Sequence, residues 1–190
     1  AQFDLNTPSY DLINADYLVS LPVTFRRGPL SARTRIYHQS SHLGDEFVLR
    51  SRIPRENFAF QSAEEILSLD EGPLRVYAGG EYFFNATPSN VETRLFHGGV
   101  ELRQRASALR LGSLASVRLV AAGDVKTVKL ADWETGWSVR AGFEISRAKE
   151  ALHASRRWSV LGHYYDGPSP YGQFFQSDVR YYGIGLHFAL

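Results

Sequence analysis

A short segment of the chain carries a histidine and a serine at a spacing that could support nucleophilic chemistry. His38 and Ser40 are two residues apart, so on a β-strand their side chains point to the same side. A serine hydroxyl becomes a useful nucleophile when a neighbouring base removes its proton. A third group then fixes the histidine tautomer, and Asp45 and Glu46 follow closely enough to reach back across a hairpin. The segment predicts Ser40 as nucleophile and His38 as general base, with either carboxylate as the orienting group.

The same segment also holds side chains that bind metal ions. His42 precedes Asp45 and Glu46 by only a few residues, and His38 lies four residues before His42. Imidazole and carboxylate groups together suit a divalent transition metal, whereas carboxylates alone suit calcium. A divalent-metal site at His42, Asp45 and Glu46 is therefore an alternative prediction, and Ca²⁺ is the cofactor that the carboxylates would bind.

The elements that must position these residues are strands, because apolar residues alternate with small or polar ones through most of the chain. The last strand shows the pattern most clearly, since Tyr182, Ile184 and Leu186 alternate with Gly183 and Gly185. We predict strands at 16–26, 30–40, 74–85, 93–104, 113–124, 137–145, 158–166 and 180–190. A further strand falls between 47 and 69, where 63–69 is alternatively a short helix.

Strands of this kind are typical of proteins that contact lipid on one side and a wet lumen on the other. The predicted fold class is all-β, a transmembrane antiparallel up-and-down β-barrel of about ten strands that forms one domain over residues 1–190. The chain opens in what reads as the middle of a strand, so we expect a truncated N-terminus and a complete barrel of about twelve strands. A soluble β-sandwich or a lipocalin-like barrel also alternates and is the competing interpretation.

Composition excludes several classes of protein. Charged residues make up 22% of the chain, and it contains no run of about 18 apolar residues, which excludes a helical membrane protein. Aromatic residues make up 13%, a fraction that suits aromatic girdles at two membrane interfaces. No cysteine is present, so there is no disulfide framework or thiolate metal site. The net charge of +1 gives no electrostatic reason to expect nucleic acid as a partner.

The predicted location is the outer membrane of a Gram-negative bacterium. With the last strand ending on the periplasmic side, the short turns at 27–29 and 70–73 fall on that side too. The longer segments 126–136 and 166–178 then fall outside the cell. The expected partners are outer-membrane lipid or lipopolysaccharide, and the barrel-assembly machinery during biogenesis.

The side of the strands opposite the apolar one carries charges of both signs. We predict that they form a network in the lumen, because buried charges must be paired. The network residues are Arg35, Glu81, Glu101, Arg118, Arg140 and Glu144. A lumen filled in this way favours a plugged barrel, whereas a selective pore needs more space than ten to twelve filled strands leave.

Four segments of the chain resemble a known family: 11–17, 35–46 with the sequence RIYHQSSHLGDE, 75–77 and 182–188. They are similar to domain-of-unknown-function family 1207, whose members are bacterial proteins usually regarded as outer-membrane barrels. This resemblance implies a barrel fold and an outer-membrane location, and it brings no established activity.

The His-x-Ser spacing of His38 and Ser40 is similar to that of two outer-membrane hydrolase families, outer-membrane phospholipase A and the lipid A 3-O-deacylase. Both carry the pair on the outside of the barrel and take their third residue from the next strand. Both also favour asparagine after the serine, where this chain has Ser41. The resemblance implies acyl-ester hydrolysis of outer-leaflet lipid.

Two functions of different classes therefore stand beside the metal site. The first is a non-catalytic outer-membrane barrel that acts as a scaffold, a narrow channel or a surface-binding protein. The alternative is a hydrolase of phospholipid or lipid A that uses the lipid-facing His38 and Ser40.

Overall fold

The computed structural model describes residues 1–55, 57–89, 93–112, 114–147 and 156–189. Its strands are β1 (Gln2–Phe3), β2 (Leu12–Arg27), β3 (Leu30–Leu43), β4 (Phe58–Glu71), β5 (Leu74–Thr87), β6 (Thr93–Arg103), β7 (Leu109–Leu111), β8 (Ala115–Val128), β9 (Thr135–Arg147), β10 (Arg157–Pro168) and β11 (Asp178–Ala189). One α-helix, α1 (Asp45–Ser51), and two short 3-10 turns, Lys129–Ala131 and Gly172–Phe174, complete the described elements. The predicted all-β fold class is confirmed.

The strands form one antiparallel sheet whose spatial order follows the chain order from β1 to β11, with β7 paired to β8 alone. This is the up-and-down meander that the alternation predicted. The sheet curls into an open half-barrel, and among the described residues its first and last edges are not paired with each other. Closure requires strand tilt and register to bring the first and last edges together. Among the described residues, β11 pairs only with β10, and most of β2 pairs only with β3.

The chain between β3 and β5 differs from the prediction in two ways. Residues 63–69 belong to β4, so the alternative of a short helix there is wrong. The helix is instead α1, which overlaps the start of the range 47–69 in which we predicted a strand. Asp45 and Glu46 occupy its first turn and Arg50 its last, which is the charge order that the helix dipole favours. No helix among the described residues is long and apolar enough to cross a membrane.

The connections between strands lie at two opposite ends of the sheet, which we call the hairpin end and the loop end. At the hairpin end, Gly28-Pro29 and Gly72-Pro73 each join two strands as a two-residue turn, and the two glycines have φ of 59° and 61°. Glycine adopts this backbone conformation without strain, and such turns hold adjacent strands in register. At the loop end lie α1 and the longer segments 129–134 and 169–177. Ser113 and Leu190, which the predicted strands included, lie outside the described residues.

The two faces of the sheet differ in polarity as the alternation predicted. Large apolar side chains on the outer face are exposed on every long strand. Examples are Val19, Leu21, Ile36, Leu67, Tyr82, Phe96, Leu119, Val139, Trp158, Ile184 and Leu186. Charged and hydroxyl side chains on the inner face are buried, among them Ser62, Glu64, Glu81, Ser116, Arg118 and Glu144. Large apolar side chains therefore lie mainly on the outer face, and most of the buried charged side chains lie on the inner face.

A small aromatic cluster occupies the inner face near the loop end. Its buried members are Tyr37, Phe58 and Phe60. The Phe60 ring stacks on Phe83 with 4.0 Å between ring centroids, and the Phe58 ring stacks on Phe175 at 5.3 Å. The second stack ties the segment 169–177 to the start of β4, so this loop folds over the inner face.

Candidate functional site

The predicted nucleophile and base lie together on the outer face of β3. His38 faces Val19 of β2 and Gln61 of β4, and its side chain is exposed. Ser40 lies two residues further along the same face, opposite Tyr17 and Ala59. Both side chains therefore sit among the exposed apolar residues, as the spacing predicted.

Gln61 provides the group that contacts the histidine. Its amide Nε2 lies 3.2 Å from His38 Nδ1. Turning this amide by 180° brings Oε1, which has no other partner among the described residues, onto Nδ1–H. The lone pair of His38 Nε2 is then free to accept a proton. Among the described residues, no hydrogen bond joins Ser40 Oγ to His38, so the pair is near but not engaged.

The carboxylates that we predicted as orienting groups lie elsewhere. Asp45 and Glu46 are in the first turn of α1, and Asp45 forms an ion pair with Arg55. The structure thus places an amide from the neighbouring strand, rather than either carboxylate, on the histidine. The sequence alone did not single out Gln61, because only the β3–β4 register reveals that it faces His38.

The predicted metal ligands are not brought together. No group of three or more histidine, aspartate or glutamate side chains in the described parts of the chain could hold a metal ion. His42 instead packs edge-on against Tyr17, with 5.8 Å between ring centroids. The reason is geometric, since His42 points outward from β3 whereas Asp45 and Glu46 belong to α1. The residues present therefore do not fit a bound Ca²⁺.

The inner face carries one charge cluster centred on Glu64, which the sequence analysis did not name. Glu64 Oε2 lies 2.7 Å from Arg35 Nε in an ion pair, and it accepts a hydrogen bond from Arg33 Nη2 at 3.3 Å. Glu64 Oε1 lies 3.8 Å from His97 Nε2, and His97 Nδ1 lies 3.9 Å from Asp124. The carboxylate is 5% exposed, so it is the buried centre that these cations share.

The other predicted lumen residues fall into separate groups. Glu81 is buried and accepts hydrogen bonds from the Tyr37 hydroxyl and, at 2.6 Å, from the Ser62 hydroxyl. Glu101 is half exposed and lies 3.8 Å from Arg75. Arg140 faces His163 across β9 and β10 and forms no ion pair within the described part of the chain. The charged residues of the inner face thus form separate local clusters.

A second charge cluster lies near the hairpin end and is centred on Glu144. Its carboxylate lies 3.3 Å from Arg103, 3.9 Å from Arg157 and 4.0 Å from Arg118. Arg118 and Glu144 come from facing positions of β8 and β9. Arg118 and Glu144 were predicted to lie in the lumen, and their burial agrees with that position.

Hydrogen bonds to Ser41 hold the segment 169–177 across the inner face. The Ser41 hydroxyl, which is fully buried, accepts from the Gln173 backbone N–H at 3.1 Å. The Gln173 side-chain amide donates to the Ser41 carbonyl at 2.8 Å, and the Ser41 hydroxyl also contacts Asn14 and Asp16. Beneath this segment lies a cavity of about 150 Å³ whose lining includes Tyr37, Phe58 and Phe60 as well as aliphatic and polar residues. Ser41 and Gln173 are 132 residues apart, so no local sequence signal reveals their contact.

The whole chain matches one family of proteins, described as protein of unknown function (DUF1207), over residues 1–190. The chain belongs to DUF1207. No curated protein and no solved structure matches it. For this member of DUF1207, the features that bear on function are the two faces of the sheet and the side chains that they carry.

Proposed function

We propose that this protein is an outer-membrane β-barrel protein of Gram-negative bacteria that serves as a non-catalytic scaffold or surface-binding barrel. The observation that carries the proposal is the polarity of the two faces. Exposed Leu, Ile, Val and aromatic side chains cover the outer face, while the ion pairs and hydrogen bonds lie on the inner face.

Hydrocarbon is the solvent that fits such an outer face. In water, apolar side chains exposed on every long strand would favour aggregation, because each buried CH₂ is worth about 0.8 kcal/mol. In a bilayer the same side chains meet lipid, and the strands of 11 to 16 residues in β2 to β6 and β8 to β11 are long enough to cross. Inner-face charges then remain in a polar lumen.

The open edges of the sheet place a requirement on the proposal. An unpaired strand edge in hydrocarbon leaves backbone N–H and C=O groups without partners, at several kcal/mol for each group. The free edges of β2 and β11 must therefore pair in the membrane, either with each other or with additional strands. We propose that the barrel-assembly machinery brings about this closure, and that lipid or lipopolysaccharide surrounds the closed wall.

The inner face favours a plugged barrel over a channel. The buried carboxylates of Glu64, Glu81 and Glu144 and the buried Arg118 occupy the space that a conducting path would need. The segment fastened by Ser41 also crosses the loop end. Accordingly, binding at the surface loops is the activity that we favour, rather than conduction.

A pair of arginine substitutions at adjacent positions tests the membrane proposal. Ile184 points outward on β11 and is 82% exposed, whereas an added Cβ at Gly183 meets open space on the inner side. We expect Ile184→Arg to make folding into lipid vesicles less favourable by about 2–4 kcal/mol, because arginine is costly at the bilayer midplane. Folding is followed by tryptophan fluorescence in urea.

Gly183→Arg is the matched control, since it adds the same side chain to the same strand on the lumen side. We expect it to change folding into vesicles by less than half as much as Ile184→Arg. If Ile184→Arg instead folds equally well in vesicles and makes the protein more soluble without detergent, the outer face does not contact lipid and the proposal fails.

A second candidate function is favoured by one observation, the position of His38, Ser40 and Gln61 on the outer face. We propose, as the alternative to a non-catalytic barrel, an acyl-ester hydrolase of outer-leaflet phospholipid or lipid A. Ser40 Oγ attacks the ester carbonyl carbon and its proton passes to His38 Nε2. The alcohol leaves with that proton, and water, deprotonated by His38, then releases the fatty acid and restores the serine.

The hydrolase alternative predicts a large loss of activity in Ser40→Ala. Fatty-acid release from mixed micelles of phospholipid or lipid A should fall by about 100-fold or more, because the nucleophile is gone. Ser51→Ala, which changes an exposed serine in α1, is the control and should retain the parent rate. If the parent releases no fatty acid, or if Ser40→Ala releases it at the parent rate, the non-catalytic proposal stands alone.

A further inference from the structure

The Glu144 cluster contains more positive than negative charge. Arg103 from the end of β6, Arg118 from β8 and Arg157 from the start of β10 all approach this one carboxylate. Within the described residues, no other carboxylate lies within 4.0 Å of these three guanidinium groups. Three arginines and one glutamate leave an excess of two positive charges on the inner face near the hairpin end.

Arg118 is the unusual member, because it is buried and largely unpaired. Its side chain is 3% exposed, and its contact with Glu144 is a single Nη1–Oε1 distance of 4.0 Å. Its Nε and Nη2 atoms are buried without a hydrogen-bond partner in the part of the chain that the structure describes. A buried donor without an acceptor costs about 1–3 kcal/mol, and more when the group is charged. Within the described residues, the donors of this costly group therefore have no acceptor.

The two unpaired donors have a defined geometry. Nε–H and Nη2–H lie along one edge of the planar guanidinium and point in parallel, which is the fork that two oxygens of a phosphate or carboxylate accept. The opposite side of the group, at Nη1, faces Glu144. An anion on the free edge would thus contact Arg118 without displacing the glutamate.

We propose that this cluster is a phosphate-binding site. A phosphate monoester or inorganic phosphate carries about 1.5 to 2 negative charges at neutral pH, which offsets most of the excess of two positive charges. A carboxylate would neutralise only half of that excess. Arg118 donates to two phosphate oxygens through Nε–H and Nη2–H, while Arg103 and Arg157 supply further donors and charge.

Two members of the cluster reach solvent near the hairpin end, since Arg103 is 50% exposed and Arg157 is 34% exposed. The phosphate can come from a free anion or from the headgroup of a lipid, and both present the same tetrahedral oxygens. Phosphate binding at this cluster involves only the inner face, so it does not depend on which of the two proposed functions is correct.

Binding is measured with inorganic phosphate as the first probe. The parent protein in detergent is titrated with phosphate against chloride at constant ionic strength, so that charge screening is the same in both series. We expect a saturable rise in Tm, because a ligand that binds only the folded state stabilises it. A short-chain phosphatidic acid, compared with the matching phosphatidylcholine, is the second probe.

Two substitutions give opposite expectations. Arg118→Met removes the free fork and should raise the Kd for phosphate by about tenfold or more, as expected for the loss of a charge-assisted bidentate contact. Glu144→Gln removes the competing negative charge and should lower the Kd by about tenfold. A merely structural role for the cluster would not produce an increase in affinity. Arg140→Gln, on the same face but outside the cluster, is the control and should bind as the parent does.

The outcomes are decisive in both directions. A response to inorganic phosphate that depends on Arg118 supports a free-anion site, and a response to phosphatidic acid alone with the same dependence supports a headgroup site. If neither probe raises Tm, or if the parent, Arg118→Met and Glu144→Gln all respond equally, the proposal is overturned. Should Arg118→Met fail to fold, the comparison of the parent with Glu144→Gln still decides it.

Discussion

Replacing Glu64 with glutamine is expected to lower the free energy of unfolding by about 3 kcal/mol, because it removes one partner of a buried ion cluster. Arg35 lies 2.7 Å from this carboxylate, and Arg33 lies 3.3 Å from it. Without Glu64, both cations remain on the inner face with their charge uncompensated. Arg33 is 41% exposed and regains some hydration, which keeps the expected loss at the lower end for a broken buried pair.

The measurement is urea unfolding in detergent micelles, followed by tryptophan fluorescence. Glu101→Gln is the matched control, since Glu101 is 45% exposed and lies 3.8 Å from Arg75. We expect this control to cost less than about 1 kcal/mol. The double variant Glu64→Gln with Arg35→Gln should recover part of the loss. Equal losses for Glu64→Gln and Glu101→Gln would show that burial of the cluster does not matter.

The fold was largely predictable because its main signal is local. Alternation of apolar and polar residues identifies both the strands and their faces, so His38 was placed outward and Arg118 inward before any pairing was known. Turn residues such as Gly28-Pro29 then set the hairpins. Helix α1 was missed because its seven residues are too few to show a helical period.

The contacts that define the candidate sites were less predictable because they depend on register and on distant partners. Gln61 reaches His38 only through the β3–β4 pairing, and Glu64 becomes the centre of its cluster through the same pairing. Ser41 was noted only as the residue after the serine of the His-x-Ser pair, yet it fastens a segment 132 residues away. Closure of the sheet also depends on how accumulated twist relates two edges, which alternation does not encode.

Phe60→Ala is expected to lower the free energy of unfolding by about 4 kcal/mol, because it leaves a cavity at the centre of the aromatic cluster. Phe60 is 4% exposed, stacks on Phe83 at 4.0 Å and packs edge-on against Tyr37 at 5.9 Å. Its removal also weakens the support for Phe58 and, through it, for the stack on Phe175. We expect limited proteolysis within 169–177 to become faster as well as unfolding to become easier.

Phe143→Ala is the control for this prediction, since Phe143 is 50% exposed on the outer face and its truncation leaves no cavity. It should cost less than half as much as Phe60→Ala and leave cleavage within 169–177 unchanged. The comparison separates packing of the inner cluster from general loss of aromatic surface. If both variants lose the same stability, the loop end is not organised by Phe60. The hydrogen bonds to Ser41 and the contact of Phe174 with Phe47 would then hold the segment 169–177 without support from Phe60.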